Sequence, residues 1–170
     1  MVFYRLAAAA AIIWAATAAG PATADVRDGQ YYSSVSPNEL LSILSDEGGV
    51  LEVDETQGDT TLEGRVDGKT TSVYFYDCDG AGFTAPATPN SACLGYEFRA
   101  YFEGYPKDSD TINQFNAEYH YGKLWRDSDD DLALNFTVLV EGGVTRSHIV
   151  ASYKWWRDIL EDFDNFMASR

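Results

Sequence analysis

Apolar residues recur along this chain with two periods, and the change of period marks out its elements. From Ile149 the steps run to Tyr153, Trp156, Leu160, Phe163 and Met167, alternating between four and three. That spacing puts all six on one side of an amphipathic helix. The helix is expected over Thr145–Met167, with the Thr145 hydroxyl capping its first free N–H groups. Upstream, Leu132, Leu134, Phe136, Val138 and Val140 fall on every second position, the period of a strand with one buried face. Gly142 and Gly143 stand between strand and helix. The chain must reverse within those few residues, so at least one glycine is expected to hold φ > 0. The core is expected around Phe115, Phe136, Tyr153, Trp156, Leu160 and Phe163.

The same reading runs back along the chain. Ser36-Pro37-Asn38-Glu39 has the form of a capping box, followed by Leu40, Leu41, Ile43 and Leu44 and closed by Gly48-Gly49. Val50–Thr56, Thr60–Val66 and Thr70–Cys78 read as strands, the last two joined by the hairpin signal Asp67-Gly68. A loop rich in Gly and Pro spans Asp79–Ala92. Cys93–Glu103 is a further strand, with Tyr96, Phe98, Ala100 and Phe102 facing in and Glu97, Arg99 and Tyr101 facing out. A second helix is expected from Asp108 or Ser109 to about His120, on a stripe of Ile112, Phe115 and Tyr119. Tyr121–Arg126 is a short strand and Asp127–Asp131 an acidic turn. The order is helix, three or four strands, helix, two strands, helix. It implies an α+β fold, an antiparallel sheet with helices packed on one face. One domain is expected over residues 36–168, preceded by a flexible leader, residues 25–35.

The first 24 residues change the picture of where the protein works. Arg5, the apolar run Leu6–Ala19 and the small residues Ala22-Thr23-Ala24 form a signal peptide with cleavage expected after Ala24. The run stops at Gly20-Pro21, short of the roughly 20 residues of a membrane span. A periplasmic or secreted protein is expected, with no membrane association after cleavage. The formal net charge of −15 repels nucleic acid and anionic lipid. Cys78 and Cys93 flank the Asp79–Ala92 loop, and in an oxidising compartment they are expected to form a disulfide. Closing so short a loop stabilises by about 3 kcal/mol in the chain-entropy model.

Candidate chemistry is sparse. His120 and His148 are the two histidines, far apart in sequence, and neither has a recognisable partner. Asp127, Asp129, Asp130 and Asp131 suggest a cation loop, but the EF-hand's glycine and closing glutamate are missing. Gly80-Ala81-Gly82 is followed by no helix, so it forms no phosphate cradle. No catalytic residue, metal site or cofactor is expected. Tyr74, Tyr76 and Tyr101 would share the outer face of the sheet. Tyrosines there suit a partner surface, and they equally serve to cover an open sheet. On the last helix Arg146, Lys154 and Arg157 come early and Asp158, Glu161, Asp162 and Asp164 late, against the helix dipole. Pairs Lys154–Asp158 and Arg157–Glu161 are expected to offset a little of that cost.

Several segments carry a family resemblance: Ile112-Asn113-Gln114-Phe115-Asn116, Tyr121-Gly122-Lys123-Leu124-Trp125, and Leu139-Val140-Glu141-Gly142-Gly143-Val144-Thr145. They resemble the YbjN family of bacterial proteins, labelled sensory transduction regulators, over about Ser36–Met167. The two-cysteine exported form resembles a periplasmic branch of it. The resemblance implies a fold like type III secretion chaperones, ordered α-β-β-β-α-β-β-α, and a non-enzymatic role. Two functions follow as expectations. One is a chaperone-like or regulatory domain that binds a protein partner, or a second copy as a homodimer. The other is a small-ligand carrier or enzyme with a site of scattered acids and aromatics.

Overall fold

The computed structural model describes residues 29–82 and 85–170; the expected signal peptide, residues 1–24, lies outside them. Helix α1 (Pro37–Asp46) opens on the complete capping box. Glu39 N–H donates to the Ser36 hydroxyl, and Ser36 N–H donates back to the Glu39 carboxylate. Strands β2 (Val50–Asp54), β3 (Thr61–Val66), β4 (Lys69–Cys78) and β5 (Cys93–Phe102) follow, then α2 (Ser109–Glu118), β6 (Lys123–Arg126), β7 (Leu132–Leu139) and α3 (Arg146–Ala168). The six strands form one antiparallel sheet in the order β2-β3-β4-β5-β7-β6. The fold class is the expected α+β. Four strands precede α2, not the three of the resembled pattern, because the Asp67-Gly68 turn separates β3 from β4 as two full strands.

Alternation places the layers. Leu62, Val73, Phe75, Tyr96, Phe98, Phe102, Leu134 and Val138 point to one face, and α3 lies across it. Trp156 is fully buried and stacks on Phe98 at 5.8 Å, while Phe163 stacks on Phe102 at 4.0 Å and meets Phe115 at 6.1 Å. The Trp156 indole N–H donates to the Thr71 hydroxyl at 3.3 Å, so the deepest aromatic leaves no orphaned donor. Tyr153 and Leu160 are buried with it. Phe136, read as core, is only half-buried: it points inward, but β6 ends its pairing at Asn135 and leaves Phe136 beyond the covered part of the sheet.

The residues read as a flexible leader are built into the fold from Gln30 on. Strand β1 (Tyr31–Tyr32) pairs with β8 (Val144–Thr145). Val35, fully buried, exchanges two backbone hydrogen bonds with Cys93, at 2.9 and 3.1 Å. Tyr32 and Val35 bury apolar surface, which outweighs the polar residues around them. Cys93 is also bonded to Cys78, its direct cross-strand partner. Gly142 and Gly143 hold φ of 84° and 98°, and Thr145 caps α3 by accepting from His148 N–H.

The cations of α3 pair elsewhere than expected. Arg146 meets Asp46 at 2.9 Å, Lys154 meets Glu47 at 3.7 Å and Arg157 meets Asp67 at 2.8 Å. Late on the helix, Asp164 receives Lys69 at 2.7 Å. The charge order that opposes the dipole is thus matched to α1, the β3–β4 turn and β4, though each surface pair is worth only about 0–1 kcal/mol.

Candidate functional site

Among the described residues no helix covers the outer face of the sheet, and its centre is a polar and aromatic array. Alternation within β4, β5, β6 and β7 sends Tyr74, Tyr76, Glu97, Arg99, Tyr101, Trp125, Asn135 and Thr137 to that side. Arg99 is the hub. Its guanidinium carbon lies 4.3 Å from the centre of the Tyr74 ring and 5.5 Å from that of Trp125, a cation–π sandwich. Its nitrogens donate to Tyr101 at 3.1 Å, to Tyr76 at 3.3 Å and to Glu97, where Nε sits 2.9 Å from the carboxylate. The other Glu97 oxygen accepts from Asn135 at 2.7 Å and from Thr137 at 2.9 Å.

Glu97 is buried and Arg99 nearly so, which is costly for an ion pair unless its remaining donors and acceptors are filled. Here they are filled by four neighbouring side chains. Burial opposes the Arg99 charge, but hydrogen bonds to Tyr101 and Glu97 outweigh it and keep the guanidinium protonated beyond its ordinary range. Burial, foremost, pushes the Tyr74 and Tyr76 hydroxyls up to about 12; Tyr101 adds to this for Tyr74 and Glu97 for Tyr76. The Oδ1 of Asn135 is buried without a donor, an acceptor left open in an otherwise satisfied network.

The three tyrosines singled out from sequence therefore lie together, around an arginine that sequence had placed only as outward-facing. Trp125, Asn135 and Thr137 were not singled out. Their alternation placed them on this face, but only the β5–β7–β6 order brings them beside Arg99. The two histidines are on the surface outside this array, and among the described residues no group of His, Cys, Asp and Glu is arranged to hold a metal.

The segment that follows β5 seals one sheet edge. The Asn116 amide on α2 accepts from Leu124 N–H at 2.8 Å and donates to Leu124 C=O at 2.9 Å, standing where another strand would pair with β6. The family model of YbjN, described as "Putative bacterial sensory transduction regulator", matches residues 36–169. The chain belongs to the YbjN family. No curated protein and no solved structure matches it significantly. In this YbjN protein the segments that carried the resemblance have structural work. Asn116 closes the β6 edge, Gly122 packs under α3, and Gly142-Gly143 turns β7 into that helix.

Proposed function

We propose that this YbjN protein is an exported, non-enzymatic binding module that recognises a protein partner through the outer face of its sheet. The observation that carries the reading is the Arg99 hub clamped among Tyr74, Tyr76, Tyr101 and Trp125. Tyr, Trp and Arg are the residues that dominate the centres of protein interfaces. Their side chains are already fixed by mutual contacts, so little entropy is lost when a partner covers them. Tyrosines that keep their protons to about pH 12 donate and accept hydrogen bonds at neutral pH and do not act as bases. Export is supported by the Arg5 to Ala24 pattern, and the Cys78–Cys93 bond is compatible with an oxidising compartment.

Two measurements test this. Mass spectrometry of the protein recovered from cells should find Asp25 at its N-terminus; retention of residues 1–24 would remove export from the reading. A photo-crosslinking side chain placed at Tyr101 should form adducts in periplasmic extract that are lost with Trp125→Ala. The same group at Glu161, on the exposed side of α3, should give none. Equal adducts from both positions would refute the outer face as the docking surface.

A further inference from the structure

The sheet has a second binding feature, a strand edge beside the outer-face array, with Thr137 common to both. β6 pairs only with Leu132–Asn135, so among the described residues Phe136–Leu139 of β7 has β5 on one side and no strand on the other. Val140 N–H donates to Leu94 C=O of β5 at 2.9 Å. Backbone groups of an antiparallel strand alternate in direction, so Thr137 and Leu139 turn theirs away from β5, toward the open edge. Both residues are exposed, Leu139 by 65%. The chain that would extend β6 along this edge leaves the sheet at Gly122, where a Cβ would come within 2.6 Å of Ile159 on α3. The gap is thus built by helix packing. It contrasts with the neighbouring β6 edge, which Asn116 closes.

Apolar groups line the gap on its inner side. Tyr121 and Trp155 stack at 5.3 Å yet stay 67% and 44% exposed, and Phe136 lies 6.4 Å from Trp155. A hollow of about 210 Å³ opens beside Tyr121, bounded by Phe115, Tyr119, Ile159, Glu118 and Asp162. The rim is acidic: Asp158 and Asp162 follow Trp155 along α3, Glu118 borders the hollow, and Glu141 stands past the end of β7. Nearby cations do not offset this. Lys123 projects to the opposite face of the sheet, and Lys154 is engaged by Glu47.

We propose that an extended, basic peptide segment binds here as an added strand along Phe136–Leu139, with one apolar side chain seated against Trp155 and Tyr121. Free backbone donors and acceptors select an extended chain, the aromatic pair selects an apolar side chain, and the acidic rim selects positive charge. A second copy of this chain fits poorly. Edge-to-edge pairing of two copies would bring their acidic rims together, on chains that each carry a formal charge of −15.

The test is selection from a phage-displayed library of short random peptides against the full protein. Selected sequences should be basic, with apolar residues at alternate positions. On binding, amide signals of Thr137 and Leu139 should shift while those of Tyr74 and Tyr101 stay in place. Methylating alternate backbone nitrogens of a selected peptide should weaken binding at least about tenfold, as should Trp155→Ala, each equivalent to about 1.4 kcal/mol. The first change leaves the protein untouched, so misfolding cannot mimic it. The proposal is overturned if no peptide is selected, if selected peptides are acidic, or if their shifts map to the outer face. It is equally overturned if N-methylation has no effect, or if sedimentation shows a dimer with Thr137 and Leu139 protected. Because the outer face is read out separately, failure here leaves the Tyr101 crosslinking result standing, and the reverse.

Discussion

Asn116 offers the sharpest test of how the sheet is finished at β6. Replacing it with alanine removes both bonds to Leu124, at 2.8 and 2.9 Å, and exposes a strand edge. Each such bond contributes about 0.5–1.5 kcal/mol net, so the loss should be about 1–3 kcal/mol. The lower part of that range applies if water enters the space left by the amide. Asn116→Asp separates the two bonds. It keeps the acceptor for Leu124 N–H but sets a second oxygen against Leu124 C=O, which has no donor left unless the acid is protonated. The folded state should therefore raise the carboxyl pKa of that variant. Its stability relative to the parent should then be best below the ordinary carboxylate pKa and worsen as pH rises through the raised one. Urea unfolding followed by tryptophan fluorescence gives the free energies, and hydrogen exchange of the Leu124 amide reports the bond directly. A loss under 0.5 kcal/mol for Asn116→Ala, with Leu124 protection unchanged, would refute the argument.

Trp156→Ala should cost about 3–5 kcal/mol in the same unfolding experiment, because it empties the space against Phe98 and removes the indole donor to the buried Thr71 hydroxyl; Lys154→Ala should cost well under 1 kcal/mol. Gly142→Ala should destabilise by about 1 kcal/mol from its positive φ alone. Gly143→Ala should lower the melting temperature further, since its Cβ would also lie 2.6 Å from the Tyr31 ring; a smaller effect than Gly142→Ala would count against that contact. Absorbance titration should find tyrosines that ionise only near pH 12. Because the folded pKa of Tyr74 and Tyr76 is raised, the unfolded chain loses their protons first, so stability should fall as pH rises from about 10 to about 12. Phenylalanine at both positions should flatten that fall.

Elements whose local signals agreed were legible in the sequence. The α3 stripe, the Ser36–Glu39 box and the inward alternation of β5 all hold because each describes residues close together in the chain. Phe136 packs against the core but is only half-buried, because its burial depends on where a neighbouring strand ends, which its own spacing does not encode. The β1 segment failed for a similar reason. Tyr31-Tyr32-Ser33-Ser34-Val35 is weak as an isolated strand and gains order only from Val144, Thr145 and Cys93. At the candidate site the outward tyrosines could be read, but the Arg99 hub could not. Its contacts join β4, β5 and β6, and the β7 insertion between β5 and β6 is a fact of topology.

The pairing of β1 with β8 also orders events in time. Tyr31 meets Thr145, so this early strand has its partner near the far end of the chain. Closing so long a loop is entropically slow, and it requires the start of α3 to exist. In a chain that emerges N-terminus first, this strand is made well before the partner it pairs with. Until then Tyr31 and Tyr32 stay available to chaperones and proteases, whereas Val35 needs only Cys93 of β5 to pair. Docking of this strap is thus a natural last step of maturation, and protease sensitivity near Tyr32 would serve as its clock.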